Sequence, residues 1–93
     1  MLGIGVVGLG GIARSHLTAL RILEKEGVAR CVAAADLIEE VRDRQKQEWD
    51  IPKVYAHHSE LLADREVDAV AIILGHHLHA KLTIDALDAG KPV

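Results

Sequence analysis

Hydrophobic positions along this chain switch between two spacings. Leu2 to Val7 holds only apolar residues and glycine, the pattern of a strand covered on both faces of a parallel sheet. Ile12, Ala13, Leu17, Leu20 and Leu23 then recur at helical spacing and stop at Gly27, a helix-ending residue. Val28 to Ala35 predicts a second strand, broken only by Arg30. Ile38 to Glu48 is strongly charged and carries a thin stripe of Ile38, Val41 and Trp49, which predicts a surface helix. Trp49-Asp50-Ile51-Pro52 ends it, with Asp50 where glycine would be commonest. Val54-Tyr55 reads as a short edge strand, and Ser59 as the N-cap of a short helix to Ala63 that lacks a capping box. Val67 to Leu74 is a fourth strand, Leu78 to Ala89 a helix capped by Gly90, and Lys91-Pro92-Val93 would open a fifth strand.

This order predicts an α/β fold with a parallel sheet and right-handed crossovers. The turn after the first strand decides which one. In Gly8-Leu9-Gly10-Gly11-Ile12-Ala13, Gly8, Gly10 and Ala13 satisfy G-x-G-x-x-G/A. The first position permits a tight turn, the second removes a Cβ that would meet a pyrophosphate, and the third keeps helix and strand close. The following helix offers its N-H groups and partial positive charge to the anion. Asp36 ends the second strand about 20 residues further on, where a carboxylate can accept ribose hydroxyls. Together these predict a doubly wound, Rossmann-type sheet of order 3-2-1-4, with the ligand crevice at the carboxyl ends of strands 1 and 4. The competing reading is a plain glycine turn, with Asp36 capping the next helix.

Composition narrows the class. The chain has 93 residues, 49% hydrophobic and 27% charged, with formal net charge -3, so one small domain is expected. That charge, with no basic patch, argues against nucleic acid or an anionic membrane as a partner. Met1 to Ala13 lacks a charged leader and no segment approaches a membrane span, so a cytoplasmic protein is expected. The single cysteine, Cys31, lies mid-strand and reads as a small buried hydrophobe.

Six histidines ask for their own reading. His76, His77 and His79 follow strand 4 and so fall at the ligand edge of the sheet. A metal site is the alternative, but no cysteine or carboxylate stands at ligand spacing beside them, and no metal is expected. His57 and His58 read as a solvated loop, and His16 as either a helix residue or a cofactor contact. No G-x-S-x-G elbow and no G-K-[ST] ending occurs, which leaves acyl hydrolysis and P-loop chemistry without support.

Four segments resemble the nucleotide-binding domain of the glucose-fructose oxidoreductase, inositol dehydrogenase and MocA family. They are Ile4 to His16, Ala35-Asp36, Tyr55 with Ser59 to Asp64, and Val67 to Ile72 running into His76-His77-Leu78-His79; Ala86 to Val93 matches a further stretch. The resemblance implies an oxidoreductase that moves a hydride between a nicotinamide cofactor and a CH-OH carbon of a sugar, inositol or related polyol. It implies that Gly8, Gly10, Gly11, Ile12 and Ala13 hold the phosphates, that Asp36 holds the ribose, and that His76 and His79 lie at the cofactor, His79 near its nicotinamide. The family's proton-handling lysine stands in a Glu-Lys-Pro motif beyond Val93, so no catalytic residue is expected in this chain, and the substrate domain is expected elsewhere. Lys91 is not that lysine and reads as solvated. Leu74-Gly75-His76 also departs from the family's Thr-Pro-Asn-like turn.

Two functions of different class follow: the cofactor-binding part of an NAD(P)-dependent oxidoreductase, or a free-standing nucleotide-binding or assembly module without catalysis. Asp36 favours NAD over NADP, because a carboxylate repels a 2'-phosphate, and Leu37 and Ile38 rather than arginine follow it. An open edge at strand 4 predicts self-association.

Overall fold

The structure is a computed structural model that describes residues 1–11, 13–74 and 76–93, without the side chains of His76 and His77. Eight elements alternate: β1 (Leu2–Val7), α1 (Ala13–Lys25), β2 (Ala29–Ala35), α2 (Glu39–Trp49), β3 (Lys53–Tyr55), α3 (His58–Leu62), β4 (Ala69–Ile72) and α4 (His76–Asp88). The strands form one parallel sheet in the order β3-β2-β1-β4, as the sequence pattern requires.

Both faces of the sheet are covered, which explains the unbroken apolarity of its central strands. Val6 and Ala34 pack on one face with Leu17 of α1, and Val41 and Trp49 of α2 lie against that cluster. Val7, Ala33 and Ala35 face the other way, onto Leu61 of α3 and Leu82 and Ala86 of α4. Glycine in β1 makes room for this second layer: a Cβ on Gly5 would stand 2.7 Å from Leu61 Cδ2 and 2.9 Å from Val67 Cγ1. Helix α2 has no buried residue and lies on the surface as expected. Asp50 ends it in the left-handed region (φ 53°), the conformation its glycine-like place in the sequence implied.

Several sequence expectations are corrected. Helix α3 is capped by His57 and not Ser59: Glu60 accepts the His57 N-H at 3.2 Å, so the reaching-back glutamate that seemed missing is present when the cap is set two residues earlier. Strand β4 is shorter than Val67 to Leu74, because its partner β1 turns away at Gly8; Asp68 N-H to Gly3 O and Ile73 N-H to Val7 O are the outermost rungs. Residues 91–93 form no regular strand. Even so, the Pro92 carbonyl accepts the Val70 N-H at 2.8 Å, which lays the end of the chain along the outer side of β4.

Lys91 is not solvated either. Its Nζ donates to the carbonyls of Asp64 (3.0 Å) and Val67 (2.6 Å), tying the segment after α4 to the loop before β4. On the same loop the Asp64 side chain is only 6% exposed and accepts from Lys53 (2.6 Å), Tyr55 Oη (2.8 Å) and the Glu66 N-H (2.9 Å). The Lys53 ammonium above all holds this carboxyl below its ordinary value, while the same carboxylate pushes the Tyr55 phenol up. A carboxyl lowered by folding stabilises fully above its unfolded pKa of about 4 and loses that stabilisation as pH falls through the folded value. Asp64→Asn is therefore expected to melt roughly 5 °C lower at pH 7, with the two curves converging as pH falls through the folded value. Melting curves recorded across that range check this, and equal melting at pH 7 would refute it.

Candidate functional site

Four loops meet at the carboxyl edge of the sheet and enclose a cleft of about 950 Å³. Gly8 and Gly10 line it from the β1–α1 turn, Asp36 to Ile38 from β2, Ala56 to His58 from β3, and Leu74, Leu78, Lys81 and Leu82 from β4 and α4. Its walls are mainly apolar, with a few polar groups placed among them, the usual constitution of a small-molecule site.

The glycines of the turn serve different ends. Gly8 has φ +96°, and a Cβ there would run into the carbonyl oxygen of Ile73 and the Leu74 side chain. Its absence of side chain is demanded by the fold. Gly10 and Gly11 are the reverse case: a Cβ on either would meet nothing within 4 Å. Among the described residues no protein atom explains glycine at these positions, whereas a ligand lying against the backbone would. Among the described residues nothing accepts from the N-H of Gly10 or Gly11, while the Ala13 N-H turns back onto Gly10 O at 2.8 Å. Ala13 itself is buried, in keeping with the small third position of the motif.

Asp36 stands at the head of β2 and joins two loops. One carboxylate oxygen accepts the Leu9 N-H at 2.9 Å and the other the Ile38 N-H at 2.8 Å. It does not cap α2, whose cap residue is Ile38 without a side-chain bond. Each oxygen keeps a further lone pair for a hydroxyl donor. Arg42, not weighed in the sequence, folds back from α2 and places Nη1 on the carbonyls of Asp36 (2.9 Å) and Leu37 (3.4 Å). Leu37 and Ile38 are 75% and 59% exposed, a large apolar surface left open beside the carboxylate.

The histidines divide. His16 is exposed on α1 and lines the cleft, as do His57 and His58; His57 is exposed in the loop, as expected, and caps α3, while His58 is half-buried and begins that helix. His58 Nε2 lies 3.1 Å from Asp85 Oδ2, and Lys81 Nζ lies 3.2 Å from the same oxygen. The His58 hydrogen bond first, and Lys81 second, hold the Asp85 carboxyl below its ordinary value. Sequence reading missed this cluster; the Lys81–Asp85 spacing of four was its only local signal. His79 is exposed one turn into α4, with Nδ1 3.4 Å from Thr83 Oγ1, and is not among the residues lining the cleft. Ile12 and the side chain of His76 lie outside the described residues. Among the described residues no group of three or more His, Cys, Asp or Glu could hold a metal. Cys31 lies away from the cleft, its thiol pushed up to about 11 by burial.

The geometry offers a cradle with open backbone N-H groups, a carboxylate one strand away, and apolar walls beyond. The whole of this arrangement falls within a match, over residues 2–93, to the family described as oxidoreductase family, NAD-binding Rossmann fold. The chain belongs to that family. Among its relatives, the inositol 2-dehydrogenase of Gluconacetobacter diazotrophicus is 36% identical over 93 residues, covering 99% of this chain and 27% of that protein. The myo-inositol 2-dehydrogenase of Thermotoga maritima is 32% identical over 90 residues, covering 97% and 26%. The scyllo-inositol dehydrogenase of Lactobacillus casei, solved with NAD(H) and scyllo-inositol, superposes with TM-score 0.86 at 28% identity, covering 98% of this chain and 26% of that one. This member of the oxidoreductase family thus spans about a quarter of the length of the relatives it matches. Among the described residues no helix is long and apolar enough to cross a membrane.

Proposed function

We propose that this chain is the cofactor-binding part of a cytoplasmic NAD-dependent oxidoreductase that acts on a CH-OH group of an inositol, sugar or related polyol. The observation that carries the reading is the open approach above Gly10 and Gly11, which no atom of the described residues occupies. There the two N-H groups and the α1 terminus take the pyrophosphate, and Ala13 keeps the helix close to the strand. Asp36, already fixed by the N-H groups of Leu9 and Ile38, takes the adenosine ribose. The nicotinamide, when bound, accepts or donates the hydride. His76 and His79 are assigned to its end of the cofactor by family resemblance alone. The polyol class is supported by the inositol dehydrogenases among the relatives.

Asp36 sets the choice between cofactors. A carboxylate held by two backbone donors cannot swing away from a 2'-phosphate, and Arg42 is occupied on backbone carbonyls. NAD is therefore expected to bind roughly tenfold or more tightly than NADP, a difference of about 1.4 kcal/mol. Asp36→Ala should narrow the gap. Parallel calorimetric titrations decide, and equal or tighter binding of NADP by the unaltered chain would overturn the assignment.

A second copy of the chain is proposed as a partner. Among the described residues only the Pro92 carbonyl pairs with the outer side of β4, and Ile84 and Leu87 of the helix that follows it are 58% and 59% exposed. Light scattering at micromolar concentration should show dimers or larger species. A strictly monodisperse monomer would refute this.

A further inference from the structure

Besides Asp36 the cleft is lined by Leu37, Ile38, Leu74, Leu78, Lys81 and His58, which the pyrophosphate and ribose leave unused. We propose that His58 reads the base of the bound dinucleotide, accepting a hydrogen bond at Nδ1 from the exocyclic amino group of adenine. This rests on the dinucleotide reading given above.

The order of groups in the ligand supports it. With the pyrophosphate at Gly10 and the ribose at Asp36, the base is the next group along, and the residues that line the rest of the same cleft include Leu37, Ile38, Leu74, Leu78 and His58. The leucines and isoleucine take the faces of a flat ring. Orientation then falls to the polar groups within reach, since an apolar slot alone does not distinguish one purine from another.

The tautomer follows from the partner. Asp85 is ionised and can only accept, so the His58 Nε2 that lies 3.1 Å from it carries the proton. In the neutral imidazole Nδ1 is then an acceptor, and none of the described residues donates to it. Lys81, on the same Asp85 oxygen, helps fix that carboxylate, so both are positioning residues while His58 is the one that touches the base. Adenine presents an amino donor where hypoxanthine presents a carbonyl oxygen. An acceptor that meets that position favours the first and repels the second.

The test is a pair of titrations at pH 8, above the ordinary imidazole range, with NAD and with nicotinamide hypoxanthine dinucleotide. The unaltered chain is expected to prefer NAD by roughly tenfold, the effect of one hydrogen bond gained against one unsatisfied. His58→Phe keeps a ring of similar size without the acceptor and should bring the ratio to about 1; His58→Leu should do the same. Because each ratio compares two ligands in one sample, partial unfolding of a variant does not alter it. A ratio near 1 in the unaltered chain, or an unchanged preference in a variant, would overturn the assignment. If the unaltered chain bound neither dinucleotide, the cofactor reading itself would fall, and this inference with it.

Discussion

Gly10→Ala will weaken NAD binding by roughly 100-fold while leaving the melting temperature of the chain unchanged or slightly raised. The expectation follows from what surrounds the position. An added Cβ meets no atom of the described residues within 4 Å, and Gly10 is not among the glycines with positive φ, so the folded chain accepts alanine without strain. Losing glycine also reduces the entropy of the unfolded chain, which stabilises by about 0.4–1 kcal/mol at compatible sites. The same Cβ occupies the space where a pyrophosphate must approach the backbone. Displacing the anion forfeits charge-assisted hydrogen bonds of about 1.5–3 kcal/mol each, and about 2.7 kcal/mol corresponds to the factor of 100. Thermal melts and NAD titrations on the same preparation check both halves. Unaltered affinity would mean that the turn is glycine-rich for some reason other than a ligand.

Gly8→Ala, two residues earlier, should do the opposite kind of damage. Here φ is +96°, and a Cβ would press on the Ile73 carbonyl, a backbone group that cannot rotate aside. Strain in that region amounts to roughly 1–3 kcal/mol before the steric conflict is counted. In a domain of this size each kcal/mol shifts the melting point by about 4–8 °C. A fall of roughly 15 °C or complete unfolding is expected, seen by circular dichroism whether or not cofactor is present. A variant that melts within a few degrees of the unaltered chain would show that the β1–α1 turn and the end of β4 are not packed as described.

These two glycines also mark how far the sequence could be read. Their chemistry was legible because strand, turn and helix are contiguous, and each position in the motif has a local steric reason. Asp36 was legible for the same cause, standing at the end of an apolar run, and Asp50 betrayed its left-handed backbone by sitting where glycine is usual. The sheet order followed from the alternation of elements and the handedness of their crossovers. What escaped was set by contacts remote in sequence. The His58–Asp85 pair spans 27 residues, as does the Lys91–Asp64 bond, and nothing near either partner announces the other. His57 was misread because a histidine is a poor N-cap, and the glutamate that closes the motif falls three residues after it and one after Ser59. Strand β4 was overextended because Val67 and Leu74 are apolar for packing and for the cleft, not for the ladder with β1.

The placement of the cofactor in the cleft at the carboxyl edge of the sheet is tested most directly by amide chemical-shift mapping as NAD is added to isotopically labelled chain. The account predicts saturable shifts concentrated at residues 8–11 and 36–38, with His57 and His58 following. Shifts centred on the groove at the other side of α1, lined by Arg21, Arg30 and Trp49, or no saturable shifts at all, would contradict it.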